Sequence, residues 1–222
     1  MDSTKFRRVM IWGGWLRLSH ACLALSTLVL LITGWLLAES PSLQGLAQDV
    51  HYMSAGFLLS GLAVRIVLMF AGKEHERVSS LLPASAELAA MASTLRFYIS
   101  LGRVSLPGWY AQNPLWKPVY LVIYIAFLIL AATGAAMSDV SLVLGFYLPS
   151  VHAFWAQVVL WFSVLHIAGV IMHDYKNQTT DISAMVNGYR LFIIDNSQNA
   201  ADVKTSIQLV SPDSLNRRDG LD

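Results

Sequence analysis

Four stretches of this chain are each long and apolar enough to cross a lipid bilayer, and they constrain the fold more than anything else in it. They cover residues 18–38, 50–71, 119–137 and 151–172; a spanning helix needs about 20 predominantly apolar residues. The first, third and fourth contain no Asp, Glu, Lys or Arg, and the second contains only Arg65. Spanning β-strands would be about half as long and would alternate in polarity. A basic segment precedes the first stretch, as in a cleaved signal peptide. The run exceeds the usual span of about 7–15 apolar residues and carries His20, so a retained helix is expected. The expected fold class is an all-α membrane protein, a bundle of four transmembrane helices.

Composition agrees. Only 13% of the 222 residues are charged and 55% are hydrophobic, where a soluble domain carries about 25% charged residues. That leaves too little polar surface for a water-facing globule. The single cysteine, Cys22, excludes a disulfide framework, a cysteine zinc site and an iron–sulfur cluster. No C-x-x-C-H occurs, which removes covalent c-type haem, and a net charge of +1 gives no reason to expect nucleic acid.

Charge placement predicts orientation. All 15 Lys and Arg residues lie in the N-terminal arm, the connection after the second span, the C-terminal tail or the adjoining helix ends. The loops 39–49 and 138–150 contain none. By the positive-inside rule both termini are cytoplasmic and the two short loops face outward. Trp12, Trp15, Trp109 and Trp116 fall at inner boundaries, Trp35 and Trp155 at outer ones, as interfacial anchors do. The expected location is the bacterial cytoplasmic (inner) membrane, multi-pass, with membrane lipid as an obligatory partner. The connection 72–116 is too long for a bare loop; residues 84–101 read as a surface helix along the inner face between the second and third spans. Residues 1–190 are expected to form the bundle domain and 191–222 a polar cytoplasmic tail, loosely ordered from about 196. No internal repeat is evident.

Four of the six histidines lie within the spans: His20, His51, His152 and His166. Ionisable residues at membrane depth are costly and usually functional. His20 stands near the inner face, His51 and His152 near the outer one, and His166 follows His152 on the same span, deeper toward the inner face. The interval from His152 to His166 covers about 21 Å and returns to within about 40° of the same helix face. His51 therefore pairs with His152 at the outer level and His20 with His166 at the inner level, each pair drawn from two helices. Such pairs suit bis-imidazole ligation of two haem b groups. A carboxylate di-metal site would need acidic residues within the spans, and zinc or copper would need three or four ligands at one depth. His173, two helical turns beyond His166, shares its face and is an alternative inner ligand.

Other residues share these faces. Gly34 follows His20 by the same interval that separates His152 from His166. It therefore lies at outer depth, where a missing side chain would admit a porphyrin edge; ordinary small-residue helix packing explains it equally. Arg65 follows His51 by that interval too and, with Arg17, is placed to neutralise inner propionates. Its alternative is snorkelling to the inner surface.

Arg17-x-x-His20 followed by Thr33-Gly34, then His51 and Arg65, Thr133-Gly134, His152-x13-His166 and Met185-x-x-Gly188-x-Arg190 together resemble a family. It comprises the bacterial di-haem cytochrome b membrane subunits of nickel–iron hydrogenases and formate dehydrogenases, and the resemblance covers about residues 10–190. Two features depart from it: Ala21 stands where a Trp often follows the first histidine, and the tail beyond Arg190 has no counterpart. The resemblance implies an electron-transfer subunit between a periplasm-facing catalytic or electron-transfer partner and the quinone pool. It also implies a quinone site beside the inner haem at Asn113, with Gln112 and Lys117 nearby; a polar turn capping the third span is the plainer reading of those residues. His166 or His173 is placed to hydrogen-bond a quinone carbonyl or relay protons. Two readings of other classes remain, a free-standing superoxide:quinone oxidoreductase and a scaffold without haem. The first would favour a basic outer surface to attract the anion, and the outer loops carry Glu39, Asp49 and Asp139 instead.

Overall fold

The computed structural model describes residues 5–177 and 180–194. The chain divides into two compact units, Val9–Arg190 and a smaller one of Met1–Arg8 with Leu191–Asp222. In the smaller unit only residues 5–8 and 191–194 are described; there strand β1 (Lys5–Met10) pairs with β4 (Tyr189–Ile194) in a two-stranded sheet. The charge of the arm, its one legible feature in the sequence, gives no hint of this pairing. The tail expected from about residue 196 lies outside the described residues.

Four long helices dominate the larger unit: α1 (Gly14–Glu39), α2 (Gln44–Ala71), α4 (Trp116–Ala136) and α5 (Leu148–Asn177). Each coincides with one predicted span, α4 stopping one residue short of its expected end. Three extend beyond it at one or both ends and α4 at its start, because helical hydrogen bonding continues into the interface where hydropathy falls. All four are long and apolar enough to span a membrane, and a third or less of each apolar window is buried within the bundle. Trp15, Leu25, Leu28, Ile32, Trp35, Phe57 and Phe70 point outward, each at least half exposed. That is the pattern of helices solvated by lipid, and the chain is a multi-pass membrane protein.

The bundle closes on a small interior. Leu23, Leu58, Leu62, Ile123, Ala126, Phe127 and Val159 form its buried core, with residues from all four long helices. α1 packs along α2 and α4 along α5. The first contact is tight at Gly61, where an added Cβ would lie 2.8 Å from Cys22 Cβ and 3.3 Å from the Ser19 carbonyl oxygen. Ser19 Oγ donates to the Gly61 carbonyl at 2.9 Å. Small residues allow such close approach between membrane helices.

The connection after α2 holds short 3₁₀ turns and the helix α3 (Leu88–Ile99), within the predicted 84–101. Its buried side is marked by Thr94 and Phe97. The connection between α4 and α5, expected to face outward, forms a short hairpin, β2 (Leu142–Val143) with β3 (Phe146–Tyr147), turning through Leu144 and Gly145 at positive φ. A short helix α6 (Asp181–Asn187) follows α5 and ends at Gly188. Gly188 has φ of 87°, and a Cβ there would lie 2.8 Å from the Trp12 carbonyl oxygen. Its own carbonyl accepts from Ile11 N and Trp12 N at 2.9 and 3.2 Å. Only glycine combines left-handed backbone with that approach.

Candidate functional site

Helical rotation brings the four predicted histidines together two by two. The rings of His51 on α2 and His152 on α5 stand 6.4 Å apart between centroids, those of His20 on α1 and His166 on α5 6.5 Å apart. The tilts between ring planes are 55° and 56°. A metal held by two imidazoles, with bonds of about 2.0–2.1 Å and ring centres about 1.1 Å behind the nitrogens, sets those centres about 6.3 Å apart. Both pairs are therefore spaced for one metal atom between two rings. Among the described residues no cluster of three or more His, Cys, Asp or Glu side chains is placed to hold a metal.

The His51–His152 pair, expected at the outer level, is anchored by hydroxyls. Thr33 Oγ1 lies 2.8 Å from His51 Nδ1, and Thr133 Oγ1 lies 2.9 Å from His152 Nδ1. These residues belong to the Thr-Gly pairs of α1 and α4, and each glycine lies against the same imidazole. A Cβ at Gly34 would be 3.6 Å from His51 Cε1, and one at Gly134 would be 3.4 Å from His152 Cε1. Gly34 thus faces the His51 ring, a contact its spacing alone does not suggest. The His20–His166 pair, expected at the inner level, is held differently. His166 stacks on Phe162 at 5.4 Å and 15°, with Trp116 and Tyr120 edge-on at 5.8 and 5.9 Å.

Arg65 is drawn away from water, whereas Arg17 is half-buried. Arg65 is 4% exposed; its Nε donates to the Tyr124 hydroxyl at 3.0 Å and its Nη1 to the Glu76 carbonyl at 2.6 Å. It is packed, so snorkelling does not describe it. Arg17 Nε is buried without a partner among the described residues. An orphaned guanidinium N–H three residues from His20 fits an anionic group such as a haem propionate.

His173 is 3% exposed and both ring nitrogens face protein groups: Nε2 lies 2.7 Å from the Tyr98 hydroxyl and Nδ1 3.5 Å from an Asp181 carboxylate oxygen. The ring opposite His20 is that of His166. Trp116 Nε1 donates to the same Tyr98 hydroxyl at 2.7 Å. Burial pushes the Tyr98 phenol up to about 12, so it stays a neutral hydroxyl beside His173. Asp181 also pairs with Arg190 at 2.8 Å, and Arg190 Nη1 reaches the carbonyls of Trp109 and Tyr110 at 3.2 Å. Burial lowers the Arg190 guanidinium from its usual value, against the opposing effect of Asp181. The Met185–Arg190 segment thus has a physical role: Gly188 makes the turn and Arg190 fastens it to the loop before α4.

The loop residues divide. Gln112 donates to the His75 carbonyl at 2.5 Å, and Lys117 binds Glu87 at 2.6 Å. Asn113 is 6% exposed; its Oδ1 accepts from Leu115 N at 3.0 Å in the turn before α4, while its Nδ2 is buried without a partner among the described residues. Sequence reasoning missed Thr33, Thr133, Tyr98 and Asp181 as site residues. The recurrence of Thr-Gly one helix before each outer histidine, at a nearly equal distance along the chain, is a signal for the first two.

Comparisons with known proteins come to the same region. A family model described as prokaryotic cytochrome b561 matches residues 11–188. A probable Ni/Fe-hydrogenase B-type cytochrome subunit of Cupriavidus necator is 27% identical over 208 residues, covering 79% of this chain and 84% of that protein. Proteins of the same description from Azotobacter chroococcum and Azotobacter vinelandii are 27% and 26% identical over 215 residues, each alignment covering 83% of this chain and 89% of the relative. No solved structure matches the chain.

Proposed function

The chain belongs to the prokaryotic cytochrome b561 family, a family of haem-binding membrane cytochromes, and from that premise we propose a di-haem electron-transfer subunit. It carries electrons between a periplasm-facing oxidoreductase and the quinone pool. The matched relatives bear the name of hydrogenase cytochrome subunits, which favours a hydrogenase-like catalytic partner. The bundle lies in the bacterial inner membrane with both termini cytoplasmic, a reading that the distribution of Lys and Arg supports.

One observation carries the reading: two separate histidine pairs with ring centroids 6.4 and 6.5 Å apart, each matching the spacing of a bis-imidazole metal site. His51 and His152 hold the outer haem b, and His20 and His166 the inner one. Bound haem supplies one-electron redox chemistry between ferric and ferrous iron. Arg17 offers its unpaired Nε to an inner propionate, with Arg65 adding positive charge from beneath. The aromatic ring of Phe162, Trp116 and Tyr120 excludes water around His166 and fixes its plane. Asn113 presents its unpaired Nδ2 as a donor to a quinone carbonyl near the inner face. The contact of His173 with Tyr98 and Asp181 gives that region a group able to hold a proton.

Pyridine haemochrome analysis of the purified full chain should give two haem b per chain. His51→Ala and His152→Ala should each remove the outer one, and His20→Ala and His166→Ala the inner one. Reduction by the partner's substrate should precede reoxidation by a quinone analogue, and His166→Ala should stop quinone reduction alone. One haem per chain, or quinone reduction that survives loss of the inner haem, would refute the assignment.

A further inference from the structure

The two ring pairs share a spacing and differ in what stands behind them. A threonine hydroxyl has one proton and two lone pairs. Thr33 Oγ1 also lies 2.8 Å from the Val29 carbonyl oxygen, and Thr133 Oγ1 2.7 Å from that of Ile129. Each hydroxyl proton is committed to that carbonyl, so toward the imidazole each oxygen can only accept. His51 and His152 must therefore carry their proton on Nδ1 and leave the Nε2 lone pair free. Two helices separately impose the same tautomer on two facing rings.

The inner rings show no such hydroxyl behind them among the described residues; His166 is held by aromatic packing instead. An acceptor on Nδ1–H raises the basicity of a metal-bound imidazole and fixes its orientation. A more basic ligand favours ferric over ferrous iron.

We infer that Thr33 and Thr133 are positioning residues of the outer site, holding Nε2 of both ligands toward the iron and lowering the midpoint potential of the outer haem alone. The inference rests on the assignment of His51 and His152 as haem ligands. It goes further by giving the two sites different chemistry: electron donation through hydrogen bonds outside, steric confinement inside. Lowering the outer potential favours electron flow from the outer level toward the inner one.

The test uses the full chain purified in detergent, with redox titration of the α-band and low-temperature EPR of the ferric signals. Thr33→Val and Thr133→Val keep the side-chain shape and remove the acceptor. Both variants should retain two haems, and the potential of one haem should rise. In the double variant a tenfold change in the ferric-to-ferrous ratio corresponds to about 59 mV for one electron. The EPR signal of that haem should shift, and the other haem should be unmoved. Thr33→Ser and Thr133→Ser keep the hydroxyl and should restore the wild-type potential. Unchanged potentials in the double valine variant would overturn the inference. So would a shift in the haem that His20→Ala removes. If the valine variants fail to hold the outer haem, the serine variants decide, and their loss of that haem overturns it. The ligand assignment fails separately, if His51→Ala or His152→Ala leaves two haems in place.

Discussion

Replacing Gly61 by alanine tests how closely α1 and α2 approach. The added Cβ would lie 2.8 Å from Cys22 Cβ, 3.3 Å from the Ser19 carbonyl oxygen and 3.4 Å from Leu23 N. Carbon atoms pack best at about 3.5–4.0 Å, so the helices must part locally by about 0.7–1.2 Å. The neighbours are backbone atoms and a Cβ rather than the free end of a flexible chain, which places the cost near the top of the overpacking range of about 1–3 kcal/mol. Alanine's better helix propensity returns about 1 kcal/mol. The net expectation is a loss of about 1–2 kcal/mol. Gly56→Ala on the same helix is the control: nothing lies within 4 Å of its Cβ position, so only the propensity gain of about 1 kcal/mol remains. Thermal unfolding in detergent should therefore shift down for one variant and up for the other. Ser19 adjoins His20, so Gly61→Ala should also weaken haem retention at the inner site. If both variants match or exceed the parent in stability, the helices are not in contact at Gly61 and the packing argument fails.

Three further outcomes follow from the inner-side contacts and the orientation. The Lys117 contact, outweighing the opposing effect of burial, holds the Glu87 carboxyl below its usual 4.5. A lowered folded value means the pair stabilises above the unfolded value and is lost as pH falls through the folded one. Glu87→Gln should cost about 0.5–1 kcal/mol at neutral pH, and the difference from the parent should vanish as thermal scans are taken well below pH 4.5. Tyr98→Phe strands Trp116 Nε1 and His173 Nε2, at a cost of about 1–3 kcal/mol; an unchanged melting temperature would show that neither contact matters. Reporter fusions at Ser42 and Ser141 should read periplasmic and those at Ser80 and the C-terminus cytoplasmic; the reverse pattern would invert the proposed electron path.

The spans are legible in the sequence because lipid selects on average hydropathy over about 20 residues, and each run is almost free of charge. The pairing of the histidines is legible because a helix converts an interval along the chain into depth and direction. Tertiary approach is harder to read. That Tyr98 meets His173 depends on how α3 docks, which no local pattern encodes. The strands β1 and β4 lie at opposite ends of the described chain, and neither alternates strongly enough to announce a partner. Spacing places Arg65 on the His51 face of its helix, yet its hydrogen bonds to Tyr124 and Glu76 require the loop to fold back. Thr33 and Thr133 are visible only as a repeated dipeptide.

The pairing of α5 with both α1 and α2 bears on the birth of the protein. The first helix hairpin is complete at residue 71 and the second begins only at residue 116. Each imidazole pair draws one ring from each hairpin: His20 and His51 come early, and His152 and His166 come late. During synthesis the membrane therefore receives a half-bundle with two lone histidines and must hold it open until the final helix arrives. Neither pair can form until translation has reached that helix, so on the proposed ligand assignment haem loading is a single late event rather than one early and one late. On that assignment a chain arrested within the long connection would be inserted but empty.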